Sequence, residues 1–328
     1  MDRYFNDEND SARNLINKLQ NLMEEYDISD VDHLLEIVSD PDYMGQLVNN
    51  NYLAPDRPLY KDVITPIADW LLPLWRMETE VWDGLREFLE EIAASVEKQD
   101  SEVVAADLHN YFLNLIVFFD HHAPQYVWRL WGALWITERL KLDQCADIAF
   151  VLLRQDYFFV DFYFGDVSCY AIQAFLYRFY QNQPAKLLDF LNEEHIVPES
   201  RVPVFCTLTM ITYYNPGKRI EAVNCLIKYL GKVYEVSQQN GNMQNIETYV
   251  MALTDHQVRE TLPMLKKIYD NSLFMRVLIA DSKEVEEMMD EDDNIPNEEK
   301  NMDEVLEYDL CRYADNSDPY DFDDDRGF

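Results

Sequence analysis

Residues 198–233 are PESRVPVFCTLTMITYYNPGKRIEAVNCLIKYLGKV, a sequence that predicts two amphipathic helices joined by a tight turn. Apolar residues recur at helical spacing in each half, first at Val204, Leu208 and Ile211 and then at Ile220, Val223, Ile227 and Leu230. Asn215-Pro216-Gly217 separates the halves, because proline lacks an amide donor and glycine tolerates the conformation of a helix end. This segment therefore predicts an antiparallel helical hairpin.

Similar pairs of helical patterns flank this hairpin. The predicted pairs are Val103–Phe119 with Pro124–Arg139, Val167–Tyr180 with Pro184–Glu194, and Met243–Leu253 with Val258–Tyr269. Short connections favour antiparallel neighbours. The chain has only 8 glycines and no alternating runs of β-branched residues, which argues against sheets. We predict an all-α fold, an α-solenoid of helical hairpins.

The hairpins resemble those of HEAT-like helical-repeat proteins and, more loosely, a bacterial family of unknown function built of such repeats. The resemblance spans Val103–Tyr269, and its best segments are YRFYQNQPAKLLDFL (residues 177–191) and TYYNPGKRIEAVNCLIKYL (residues 212–230). It implies a curved stack of helix pairs with a concave face. Some members of the bacterial family end in a Cys-rich metal-binding segment. The C-terminal segment here has one cysteine, so we carry over no metal site.

Charge divides the chain further. The net charge is −35, and residues 281–328 alone hold 20 acidic and 4 basic residues, a net charge of −16. We therefore predict an N-terminal helical region (residues 1–100), a helical-hairpin repeat region (101–280) and an acidic tail (281–328). High charge and few apolar residues predict that the tail is disordered.

Aromatic residues lie among the acids of the tail, at Tyr308, Tyr313, Tyr320, Phe322 and Phe328. Such segments can bind a basic, partly apolar surface, which makes Tyr313, Tyr320 and Phe322 candidate partner-binding residues. The alternative is a tail that only keeps the protein in solution. A helical part, about Met302–Tyr313, could also dock on the body through Val305, Leu306 and Leu310.

Three tryptophans share one helix face, because Trp128, Trp131 and Trp135 lie at positions i, i+3 and i+7. Tryptophan is common in interface hot spots, so this stripe is a second candidate partner-binding surface. The alternative is that it packs in the core against a neighbouring repeat.

The composition also indicates which kinds of partner the protein binds and in which cellular compartment it lies. A strongly acidic chain opposes binding to nucleic-acid backbones and to anionic membranes, and it favours a protein partner with a basic surface. The five cysteines show no disulfide or C-x-x-C pattern, and the N-terminal residues lack the apolar core of a signal peptide. We expect a cytoplasmic protein. The sequence leaves its oligomeric state open.

Catalytic and metal-binding signatures are missing from the sequence. It has no G-x-x-x-x-G-K-[ST], G-x-G-x-x-G, G-x-S-x-G or H-E-x-x-H motif. Asp120-His121-His122 is the densest group of possible metal ligands, but a helix-capping aspartate and two loop histidines explain it equally well. We expect no cofactor, no metal and no catalysis.

Three functions remain open on the sequence. The first is a non-catalytic scaffold that binds a partner protein on its helical-repeat surface. The second is an acidic sequestering protein, or nucleic-acid mimic, that covers basic surfaces of other proteins. The third is a hydrolase with an unrecognised site, because catalytic residues can be scattered along a chain.

Overall fold

Helices build the part of the chain that the computed structural model describes. The described residues are 66–77, 84–119, 126–164, 169–240, 246–271, 281–290 and 300–307, all within the unit Pro58–Phe328. They contain no strand. The all-α class predicted from the sequence is confirmed for these residues.

The first half of the described chain holds helices α1 to α6. They are α1 (Leu72–Trp75), α2 (Leu85–Val96), α3 (Ser101–Val117), α4 (Tyr126–Arg139), α5 (Ile148–Leu153) and α6 (Tyr157–Phe164). Short 3-10 turns at Asp69–Leu71 and Asp143–Cys145 precede α1 and α5. Asp100 caps α3, because its carboxylate accepts a hydrogen bond from the amide of Glu102.

The second half of the described chain holds helices α7 to α14. They are α7 (Cys169–Tyr180), α8 (Pro184–Leu191), α9 (Pro198–Tyr214), α10 (Arg219–Asn240), α11 (Ile246–Asp255), α12 (Leu262–Asn271), α13 (Ser282–Asp290) and the short α14 (residues 302–307). Pro184 and Pro198 occupy first turns, where a missing amide donor costs nothing. Pro263 lies in the first turn of α12, one of the two placements that proline chemistry allows.

Helix α9 is the centre of the packed core. It contacts α6, α7, α8, α10 and α11, and its residues 203–212 are buried around the whole circumference, which corrects the prediction of an amphipathic helix. The buried hydroxyls of Thr207, Thr209 and Thr212 each donate to a carbonyl of the preceding turn, so they enter the core without losing a hydrogen-bond partner.

The prediction for α10 is wrong at one residue. Val223 and Leu230 are 7% and 0% exposed and Ile227 is partly buried, as the periodicity requires, but Ile220 is 79% exposed. It lies in the first turn of α10, beside the exposed ion pair of Arg219 with Glu260. The contact face of α10 therefore begins one turn later than the sequence pattern indicates.

Two segments of the acidic tail are helical and packed. In α13, Val285 and Met289 are fully buried, and α13 contacts α11 and α12. In α14, Met302, Val305 and Leu306 are at most 2% exposed. The prediction of disorder does not hold for these two segments, because their apolar residues at helical spacing join the core.

Candidate protein-docking site

Residues 300–307, called the docking segment below, contact helices that precede them by as many as 217 residues. Met302, Val305 and Leu306 supply the apolar contacts and belong to the main hydrophobic core. These three side chains hold the segment against the body. Hydrogen bonds and one ion pair then fix its position.

Two side chains of α4 bind the start of the docking segment. The indole Nε1 of Trp135 donates to Oδ1 of Asp303 at 2.8 Å, and Trp135 is only 1% exposed. One turn further along α4, Oε2 of Glu138 accepts a hydrogen bond from the amide of Met302 at 3.0 Å. A free amide at the start of a helix is thereby satisfied by a side chain of another helix.

Contacts from α2 and α9 complete the site. Nη2 of Arg86 lies 3.4 Å from Oδ1 of Asp303, and both side chains are about half exposed. At the other end, Nζ of Lys300 lies 4.5 Å from the ring centroid of Tyr214, a cation–π contact. We call Arg86, Trp135, Glu138 and Tyr214 the docking site.

Close packing of α2 on α4 positions the site. A Cβ atom at Gly132 would lie 2.8 Å from Cδ1 of Leu74 and 3.0 Å from Cδ2 of Leu89, so a larger residue would require these leucine side chains to shift. Nε of Arg139 also donates to both carboxylate oxygens of Glu90 at 3.1 Å. Together these contacts bring Arg86 of α2 and Trp135 of α4 to the same carboxylate.

The docking segment carries its own helix-start signal. Oδ1 of Asn301 accepts from the amide of Glu304 at 3.0 Å, and the Glu304 carboxylate accepts from the amide of Lys300 at 2.7 Å. This arrangement resembles a capping box, except that the acid accepts from the amide one residue before the capping residue. The segment is therefore biased towards a helix before it docks.

Glu138 is the titratable group most affected by the docking segment. Burial raises its pKa from 4.5 to about 7, while the Met302 amide and Arg178 lower it and Asp303 and Glu304 raise it. Nε of Arg178 lies 3.8 Å from Oε1 of Glu138. Because Met302, Asp303 and Glu304 belong to the docking segment, the charge of Glu138 is linked to docking.

Burial of three apolar side chains favours docking, and the loss of backbone freedom on ordering the segment opposes it. A helix this short is not stable by itself. The polar contacts with Trp135, Glu138 and Arg86 add to the apolar contacts that hold the segment in place.

The tryptophan stripe lies mostly in the core. Trp131 and Trp135 are 4% and 1% exposed, and Trp128 is partly buried, with its ring centroid 5.2 Å from that of Trp131. The three side chains do not form an open aromatic surface. Trp135 nevertheless belongs to the docking site, because its indole nitrogen donates to Asp303.

Other candidates from the sequence lie elsewhere. Tyr313, Tyr320 and Phe322, like the Asp120-His121-His122 group, fall outside the described residues. Within the described ranges, no group of three or more His, Cys, Asp or Glu side chains is placed to hold a metal ion.

Arg86, Glu138 and Asp303 were not singled out from the sequence. No local pattern links them, because 164 or more residues separate the partners in each contact. One signal was available, since Asn301-x-x-Glu304 followed by Val305-Leu306 predicts a helix start and an apolar face.

Comparison of the chain with protein-family models, with curated proteins and with solved structures gave no match. Among the helices described here, none combines the length and the hydropathy that crossing a membrane requires. What the docking site binds must follow from its own contacts and charges.

Proposed function

We propose that the chain is a non-catalytic, cytoplasmic scaffold that binds a partner protein on the surface of its helical stack. The observation that carries this proposal is the docking site, which holds a short helix from a distant part of the chain. Its contacts combine apolar side chains, a buried indole donor and a capping carboxylate, as when a protein binds a helical peptide.

We further propose that the stack is a HEAT-like solenoid. Two rows of helix contacts support this proposal. One row runs α2, α4, α7, α9, α11 and α13, and the other includes α8, α10 and α12, with each helix contacting the next in its row. Helices α9 and α10 also pack as a hairpin between the rows. Successive contacts of this kind are typical of helical repeats.

A second candidate function is the sequestering of basic protein surfaces. The net charge of −35 favours it, since a basic partner would be attracted over long distances. The two functions differ in their response to salt. Screening weakens contacts between exposed charges, whereas a partner held by buried apolar groups and an indole hydrogen bond stays bound.

A capture experiment from source-cell lysate tests the scaffold. The bait is the full chain carrying Val305→Asp, a change that places a charge in the core and releases the docking segment. The control bait carries Val305→Asp together with Arg86→Glu, which damages the docking site at a half-exposed position. Both baits are checked for equal helix content and equal melting temperature.

The scaffold predicts a protein that the first bait retains through a high-salt wash and the control bait loses. A set of proteins retained equally by both baits and released by salt would instead support sequestering. Retention of nothing by either bait would contradict both functions.

A further inference from the structure

The docking site has a definite chemical preference. We infer that it is a receptor for a short acidic amphipathic helix of a partner protein, and that residues 300–307 occupy it in competition with that helix. This inference rests on the proposed scaffold function and names the chemistry of its partner. It also gives the acidic tail a role, since the tail limits access to the site.

The preference for an acidic residue follows from Trp135. Its ring is 1% exposed and therefore held in place, so its Nε1 donor points to a fixed position. Oδ1 of Asp303 occupies that position and also faces the guanidinium of Arg86. A ligand without an acceptor there would leave a buried donor unpaired, and among acceptors a carboxylate is preferred because it also pairs with the charge of Arg86.

The preference for a helix follows from the spacing of the apolar residues. Met302, Val305 and Leu306 lie at positions i, i+3 and i+4, which places them on one helix face. Glu138 accepts the amide at the first of these positions, as a capping group does at a helix start. The preferred ligand therefore begins with a capping residue and continues apolar, acidic, acidic, apolar, apolar.

Competition follows from the docking segment being part of the same chain. A tethered segment acts as a ligand at a high local concentration, so a free peptide of equal affinity binds poorly while the segment is docked. Release of the segment should then expose the site. A competing helix must replace only three buried side chains and the polar contacts at Asp303.

The test uses purified full-length chains and a fluorescein-labelled peptide with the sequence of residues 298–308. Three chains are compared by fluorescence anisotropy: wild type, Val305→Asp and Asp303→Lys. Both substitutions release the docking segment, and Asp303 is half exposed, so Asp303→Lys serves if Val305→Asp fails to fold. A peptide carrying Asp303→Asn is the matched control, because its effect is independent of protein folding.

The peptide is expected to bind the released chains at least about tenfold more tightly than wild type. The Asp303→Asn peptide is expected to bind them about tenfold or more weakly than the parent peptide, since it offers no charged acceptor. Absence of binding to the released chains would overturn the inference. So would equal binding to all three chains, or equal binding of both peptides.

A second copy of the chain is the other possible occupant of the site. Light scattering decides this point on the same proteins. A wild-type dimer that is lost in Asp303→Lys would assign the site to exchange of residues 300–307 between copies and overturn the inference. A monomer in both supports it. Because these assays need no lysate, their result is independent of whether the capture experiment finds a partner.

Discussion

The α9–α10 hairpin and the docking site are held together in different ways. Helix α9 is buried around its circumference and contacts five neighbouring helices, so many residues together fix its position. The docking segment depends on three buried side chains and a few polar contacts. Many more contacts therefore hold α9 than hold the docking segment, which fits our proposal that the docking segment can exchange with a partner helix.

Phe205→Ala should produce the largest loss of stability, because it leaves a cavity in the core around the α9–α10 hairpin. The ring of Phe205 is fully buried, and its centroid lies 4.3 Å from that of Tyr249. The cavity left behind should lower the free energy of unfolding by about 3–5 kcal/mol, measured by urea denaturation. The control is Ile220→Ala in the same hairpin, 79% exposed, for which a change within about 0.5 kcal/mol is expected. Similar losses in both variants would contradict the packing described for α9.

The titration of Glu138 should produce the next largest change in folding stability. Its pKa is about 7 when folded against 4.5 in the unfolded chain. Between these values the folded chain holds the extra proton, so the contribution of Glu138 to stability is present below pH 4.5 and is lost as pH rises through 7. Relative to Glu138→Gln, wild type should lose about 2–3 kcal/mol across this range in urea denaturation.

Glu260 of the hairpin region provides a contrast, because its expected dependence has the opposite sign. Burial acts to raise the pKa of Glu260, but hydrogen bonds from Arg219 lower it below the ordinary value. Relative to Glu260→Gln, wild type should therefore lose stability as pH falls through the lowered pKa. Parallel pH curves for both glutamates would show that docking does not perturb Glu138.

Gly132→Ala should have a smaller effect, through the packing of α2 on α4 that positions the docking site. The added methyl group would overlap the side chains of Leu74 and Leu89, so a loss of about 1–2 kcal/mol is expected in urea denaturation. Gly217→Ala is the matched control, since the nearest atom to its Cβ is Oδ1 of Asn215 at 3.5 Å. A stabilised Gly132→Ala chain would contradict the close approach of these helices.

Lys300→Ala should have the smallest effect and should be confined to the docking segment. Loss of the contact with Tyr214 should lower amide protection in residues 302–307 about two- to fivefold, which corresponds to about 0.5–1 kcal/mol at an exposed site. Lys300→Arg keeps the cation and should leave protection nearly unchanged. Equal losses in both variants would show that the Tyr214 contact contributes nothing.

Local patterns in the sequence predict the stack but not the docking site. The turn at Asn215-Pro216-Gly217 and the apolar spacing on either side of it are sufficient to predict the hairpin. They do not predict that α9 is buried on all sides. Its threonines count as polar in the pattern, but they can be buried because their hydroxyls donate to carbonyls of the same helix. The apolar spacing also predicts that Ile220 belongs to the buried face of α10, whereas its side chain is exposed.

The docking site depends on contacts that no local pattern contains. Trp135 and Asp303 are 168 residues apart, and the chain folds them together only through the packing of many helices between them. The Asn301-x-x-Glu304 pattern predicts where the segment becomes helical but not where it docks. The net charge predicts the opposite kind of ligand for this site. An acidic chain favours a basic partner, whereas the docking site binds an aspartate.

Amide hydrogen exchange, followed by mass spectrometry, tests the exchangeable docking of residues 300–307 most directly. Wild type and Asp303→Lys are compared in peptides covering residues 302–307 and residues 204–211 of α9. We predict measurable protection of residues 302–307 in wild type, lower than in α9, that disappears in Asp303→Lys while α9 stays unchanged. Residues 302–307 that exchange freely in wild type, or that keep their protection in Asp303→Lys, would contradict exchangeable docking.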